Sequence, residues 1–215
     1  MGWQLAPGTG FCETGGELVF LDLARDKYLA LRGEDRAAFD RLRSGEANDS
    51  EAMTRLVDTG FLARCEGPRS IEMTRVEVPA RDLAAVSDEG FSPSMALAAA
   101  RSLRWAKAAM RPERIAATVA NLGRAKAGAR KDPATAANLA ARYASCRWII
   151  PVAPRCLIDA LALDRILLAQ GLRATLVFGV RLGPFAAHCW LQSEECVLTG
   201  TAADAGNYTP ILAVR

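Results

Sequence analysis

Residues 154–163, PRCLIDALAL, open an apolar run with helical spacing that continues to about residue 169 and is ended by Gly171. The next segments are equally definite: RATLVFGVRL, a Gly183-Pro184 turn, FAAHCWLQ, a polar SEE turn and CVLTG. The pattern predicts one helix feeding an antiparallel meander of three strands. Cys156 sits at the head of that helix, directly behind a Pro-Arg pair. A thiol there feels the positive end of the helix dipole, which lowers its pKa and enriches the thiolate, the form that acts as a nucleophile. The alternative is a small buried hydrophobe, since free cysteine is among the most buried residue types.

The chain contains one histidine, His188, in the middle of the second predicted strand and 32 residues beyond Cys156. A cysteine at a helix start followed by a histidine on a strand lets imidazole take the thiol proton, and the resulting ion pair keeps the nucleophile charged at neutral pH. Alternation along the strand places His188, Trp190 and Gln192 on one face and Phe185, Ala187, Cys189 and Leu191 on the other. The His188 face is expected to be presented to the helix that carries Cys156. Trp190 is then placed to border the site and shield the ion pair, unless it is a core aromatic. The six cysteines are scattered without a CxxC pair, so reduced thiols are expected. A zinc set of His188, Cys189 and Cys196 matches no structural-site spacing.

Ahead of this region the chain reads differently. ELVFLDLARDKYLAL alternates around a polar ARDK turn and predicts strands near 17–23 and 27–31. GEDRAAFDRLRSG places Ala37, Ala38, Phe39 and Leu42 on one side of a helix that Gly45 ends. After the capping cluster NDS, the segment EAMTRLVDTGFL carries Met53, Leu56 and Val57 at helical spacing and closes at Gly60. The order strands, helix, helix suggests a small winged-helix-like unit over 1–80. A loop-rich stretch, 65–93, with Gly67, Pro68, Pro79, Gly90 and Pro93, reads as a boundary before a second unit over 90–215. Residues 93–147 are rich in Ala, Arg and Lys, with helical periodicity interrupted at Pro112, Gly128 and Pro133. The fold class expected is α+β, with a helical middle and a helix-plus-sheet C-terminal domain.

A chain of 215 residues with 51% hydrophobic content can bury one large core or two modest ones. It shows no secretory leader, no apolar run of membrane-spanning length and no myristoylation pattern, Ala6 standing where Ser or Thr is needed. A cytoplasmic protein is expected. Residues 1–80 hold 10 basic and 14 acidic side chains, 81–155 hold 13 and 5, and 156–215 hold 4 and 5. The basic middle is either a solvated face or a docking surface.

RCLIDALALDRILLAQGLRATLVFGVR followed by PFAAHCWLQ resembles the lasso-peptide biosynthesis B proteins, whose leader peptidase domain belongs to the transglutaminase-like, papain-like cysteine protease superfamily. The resemblance covers about residues 155–192. More loosely, VFLDLARDKYLAL and the two helices after it are similar to the winged-helix recognition element that binds the leader of the precursor peptide in that pathway. The resemblance implies a cytosolic endopeptidase that removes the leader and passes the core to a macrolactam synthetase. Cys156 is then the nucleophile and His188 the general base, with no cofactor and no metal. The family's acidic third member falls at Gly200, between Thr199 and Thr201. This departure makes Asp204 the first candidate to orient the imidazole and Gln192 the second. The N–H of Cys156 is an expected oxyanion donor, and Arg155 either holds a substrate carboxylate or is solvated. The leader is expected to add as a strand at the 27–31 edge, with Leu29, Leu31, Met53 and Val57 as candidates to line its groove or to fill the core.

Two other functions use the same features. A winged helix with a basic middle suits a DNA-binding regulator, but the second helix carries only Arg55, so nucleic acid is not an expected partner, and neither is a membrane. The Cys156–His188 pair also suits an acyltransferase that uses an amine in place of water.

Overall fold

A computed structural model describes residues 2–46, 51–67, 71–83 and 91–215. The chain opens with strand β1 (Gly2–Leu5), which pairs with β5 (Leu62–Cys65). Between them lie a three-stranded antiparallel meander, β2 (Thr9–Thr14), β3 (Glu17–Asp22) and β4 (Lys27–Leu31), and two helices, α1 (Gly33–Ser44) and α2 (Glu51–Asp58). The β3–β4 hairpin and both helices match the periodicity of the sequence; β1, β2 and β5 have no counterpart in it. Helix α1 stops where Gly45 adopts φ 76° and donates to the carbonyls of Arg41 and Leu42. The NDS cluster, Pro68 and Gly90 lie outside the described residues.

Both faces of β3 are buried, and the pleat sorts them. Leu18 and Phe20 point to a cluster with Phe11, Phe39 and Phe61 beneath α1 and α2, where aromatic centroids lie 4.9–5.3 Å apart. Val19 and Leu21 point the other way, into the main core around the C-terminal helix. The contact is tight enough that a methyl group at Gly10 would stand 2.1 Å from the backbone oxygen of Ile211.

Three helices come next, α3 (Pro93–Ala109), α4 (Pro112–Lys126) and α5 (Pro133–Arg147). Each begins with a proline at its first turn, where the missing N–H costs nothing. The prolines at 112 and 133 therefore start helices rather than merely interrupting one. Helix α6 (Cys156–Ala169) is buried nearly all round, through Ile158, Leu161, Leu163, Ile166 and Leu167, and forms the axis of the core. Among the described residues there are seven helices, and none is long and apolar enough to cross a membrane.

The C-terminal sheet differs from the expected meander. Strands β6 (Thr175–Arg181) and β7 (Ala186–Gln192) pair as predicted, but the third strand is β8 (Thr209–Val214), on the far side of β6, giving the order β7-β6-β8. Residues 196–200 form no strand. Leu198 donates to the carbonyl of Leu191 and Leu191 donates to Thr199 Oγ1, after which Gly200, at φ 77°, turns the chain into the short helix α7 (Ala202–Ala205). The rest of the outer edge of β7 is thereby left to the N-terminus of α6. Residues 71–83 strap the other face of the sheet, with Val76 and Val78 packed near Trp190 and Thr74 donating to Ile211.

One buried ion pair joins the helical middle to α6. Lys126 Nζ lies 2.8 Å from Asp164 Oδ1, neither side chain has exposed surface, and Lys126 also donates to the carbonyl of Ala174 at 2.5 Å. Burial pushes the ammonium down and the carboxyl up, against the attraction each exerts on the other. Removing one partner strands the other charge in the core, at a cost of about 3–5 kcal/mol. Lys126→Ala and Asp164→Ala are each expected to lower the melting temperature by roughly 10 °C, whereas Lys126→Met combined with Asp164→Leu restores most of it. Thermal unfolding followed by circular dichroism checks this, and equal losses in the single and double variants would contradict it.

Candidate active site

Cys156 is the first residue of α6, and the turn that presents it is held by the side chains around Asp159. Asp159 Oδ2 accepts from the N–H of Arg155 at 3.2 Å, while Oδ1 accepts from Tyr143 Oη at 3.0 Å and from Arg147 Nε at 2.5 Å. The Arg147 guanidinium also donates to the carbonyls of Ile150 and Val152. The loop entering Cys156 is thus tied to α5 through one carboxylate. The Cys156 side chain remains accessible from a cleft of about 670 Å³ that also contains His188, Arg147 and Thr199.

The thiol is held below its ordinary value first by a hydrogen bond to the His188 side chain, against desolvation, with further help from the backbone N–H groups of Cys189 and Leu157. Two of these partners lie on β7 and one on α6, so the thiol sits where the helix terminus meets the strand edge.

The route by which the pair meets corrects the expected orientation. Helix α6 packs on the face of β6 and β7 that carries Phe178, Val180, Cys189 and Leu191, not on the His188 face. His188 and Trp190 face the opposite side, toward Tyr208, α7 and the 76–78 strap. Contact is made because β7 is an edge strand: Cys156, at the tip of the helix, reaches its free edge, and the imidazole approaches from the other face.

The imidazole is held by stacking. Trp190 lies parallel to it with centroids 5.7 Å apart, and Tyr208 lies 5.0 Å away. Gly179, opposite His188 in the β6–β7 register, makes this possible, since a methyl group there would stand 2.7 Å from the Trp190 ring. Trp190 has no exposed surface, so it supports the histidine from beneath and does not touch a substrate. His188 Nε2 has no hydrogen-bond partner, and Asp204 Oδ2 stands 3.5 Å from it. That is ion-pair distance without a formed hydrogen bond. Position 200 passes beside the same nitrogen, where a methyl group would lie 3.8 Å from it. The absent carboxylate at Gly200 thus leaves room that Asp204 approaches from α7, a helix capped by Thr201 through the N–H of Asp204 at 3.1 Å. Gln192 is committed elsewhere, accepting from Trp190 Nε1 at 2.7 Å and donating to the carbonyl of Glu77 at 2.8 Å.

In the N-terminal unit, Leu31 and Met53 are buried in the aromatic core, Val57 packs at its margin, and Leu29 is 43% exposed on the edge strand β4. Cys189 and Cys196 are both buried, and among the described residues no group of three His, Cys, Asp or Glu side chains is placed to hold a metal. Arg155 has an exposed side chain at the cleft rim. Sequence reasoning missed Tyr143, Arg147 and Asp159. The signal available was an acid in the first turn of the helix and a Tyr-Arg pair four residues apart on α5. Tyr208 and the N–H of Cys189 had no such signal.

This arrangement can bring a sulfur nucleophile and an imidazole for proton transfer to a carbonyl lying in the cleft. No characterised protein and no solved structure matches the chain. The family model of the transglutaminase-like superfamily matches residues 94–213, a span that contains all but the terminal residues, Pro93 and Val214, of α3 to α6 and the C-terminal sheet, with Cys156, His188 and Asp204. On that match, which covers more than half of its length, the chain belongs to the transglutaminase-like superfamily.

Proposed function

We propose that this protein is a cysteine endopeptidase of lasso-peptide biosynthesis, which binds the leader of a ribosomally made precursor and cuts it from the core. The observation that carries the chemistry is the Cys156 thiol, hydrogen-bonded to His188 at the floor of an open cleft. The RCL and PFAAHCW motifs point to the lasso-peptide branch. Support for leader binding comes from β4, an edge strand with Leu29 exposed, on which an extended peptide can add. A macrolactam synthetase is the partner that receives the core. A cytoplasmic site of action goes with this reading. Against a DNA-binding role, the Arg55 guanidinium on α2 is engaged by Asp35 at 2.8 Å and Glu34 at 3.5 Å.

The Cys156 thiolate attacks the carbonyl that ends the leader, and the negative charge forms on oxygen near the N–H of Cys156 at the helix terminus. The tetrahedral adduct collapses as the imidazolium of His188 gives its proton to the leaving amine, releasing the core and leaving a thioester. Water, deprotonated by His188, then attacks the thioester and frees the leader acid and the thiol. Asp204, half exposed and 3.5 Å from His188 Nε2, is placed to orient the imidazole, and solvent screens its charge.

Incubating a lasso precursor with the protein and weighing the products should show a single cut at the leader–core junction. Cys156→Ala and His188→Ala should each abolish it, and a mass corresponding to an amide-linked adduct would instead indicate acyl transfer to an amine. Asp204→Asn should lower kcat by roughly 10-fold with little change in KM, short of the roughly 10²–10⁴-fold that proton transfer itself contributes; an unchanged kcat would remove Asp204 from the machinery. Because the Cys156 pKa is lowered, its thiolate is present at a pH where an ordinary thiol is protonated. Alkylation by iodoacetamide should therefore rise through a midpoint below that of a free cysteine and level off above it. In His188→Ala the midpoint should move to higher pH, and coincident profiles would contradict the pairing.

A further inference from the structure

A second, smaller recess of about 120 Å³ shares Cys156, His188 and Cys189 with the main cleft. Its walls are Leu21, Leu23 and Tyr28 from the N-terminal unit, Met110 and Ile115 from the corner between α3 and α4, and Phe178 from β6. Four of these, Leu21, Leu23, Ile115 and Phe178, are at most 5% exposed, so the walls are packed in place. Tyr28 is partly buried, with its ring edge-on to Phe185 at 5.3 Å. Burial holds its phenol well above the ordinary range, so it presents a neutral group. Asp26, in the turn just before β4 at φ 52°, is the only carboxylate in the lining.

We infer that this recess is a specificity pocket, which takes one aliphatic side chain from a residue flanking the bond under attack, with Tyr28 limiting the size admitted. Its volume is that of about four water molecules at roughly 30 Å³ each, enough for a branched aliphatic group and too little for an indole. Its lining is mostly apolar, with Asp26 as its one carboxylate, whereas the larger cleft carries Arg147, Arg155 and Asp159. A peptide lying over Cys156 therefore has two recesses within reach, one mostly apolar and one open and charged. Leu21, Leu23, Asp26 and Tyr28 all lie outside residues 94–213. The preference is thus built by the N-terminal sheet, which acts as a wall of the catalytic site in addition to any role in holding a leader. The pocket's use on a peptide rests on the peptidase reading; its effect on small reagents that reach Cys156 does not.

The test has two arms on the full chain. In the first, kcat/KM is measured on precursor peptides carrying Gly, Val, Leu, Phe or Trp at each residue flanking the cut. In the second, the rate of Cys156 alkylation is measured with iodoacetamides bearing methyl, isobutyl or naphthylmethyl groups on nitrogen. At one flanking position Val or Leu should exceed Gly by about 10- to 100-fold, the discrimination an apolar pocket provides, and Trp should be rejected. Isobutyl reagent should react fastest of the three. Tyr28→Ala should move both optima to the larger groups, and Ala187→Leu, a change at an exposed residue of the same lining, should move both to the smaller. Size orders that stay the same in both variants, or that fall uniformly for every substrate and reagent, overturn the pocket. Shifted alkylation orders with no peptide cut support the pocket and sink the peptidase reading instead.

Discussion

The N-terminus of α6 against the free edge of β7 is the contact on which the site depends. A helix ends in N–H groups without intrahelical partners, and an edge strand has N–H groups without a neighbour. Here the Cys156 sulfur accepts from one of each, Leu157 on the helix and Cys189 on the strand, as well as from the imidazole. The loop at 196–200 and helix α7 serve the same need. The loop binds the edge of β7 at its far end, through Leu191 and a bridge between Gln192 and Val197, and the third strand lies on the opposite side of β6, so the edge beside Cys156 stays open.

Rigidity at this junction is supplied from two directions. From the helical middle, Asp159 couples the first turn of α6 to Tyr143 and Arg147 on α5, and Lys126 of α4 meets Asp164 further along the same helix. From the N-terminal side, β3 contributes Val19 and Leu21 to the core that surrounds α6, while its other face is covered by α1 and α2. A sheet buried on both faces cannot swing relative to either layer without opening apolar surface to water. The recess beside Cys156 is a consequence, because the end of that sheet is a fixed wall.

Much of the fold was legible because local rules act within a few residues. The αL cap at Gly45 and the alternation in ELVFLD and AAHCWLQ coincide with observed elements, and the breaks in periodicity at Pro112 and Pro133 fall where α4 and α5 begin. The third strand was not legible. CVLTG has the composition of a strand, yet it makes only a single bridge to the end of β7, at Gln192 and Val197, before Gly200 turns the chain away. The face of His188 was misjudged for a related reason: alternation says which residues share a side, but not which side the neighbouring helix covers. In the site, Cys156 and His188 stood out as a helix-head cysteine and the single histidine. Asp159, Arg147 and Tyr143 did not, since their meaning lies in converging on one carboxylate from two helices.

Sequence alone determined that a reactive-type cysteine heads an apolar helix and that an imidazole lies on the second strand after it, because helix ends and strand periodicity are short-range properties. Tertiary structure decided that the two meet across a strand edge and that Asp204 takes the approach left open at Gly200. It also decided that the N-terminal sheet closes one side of the site. Each of these depends on how layers stack, and stacking is set by the burial of surfaces from distant segments, which no local pattern encodes.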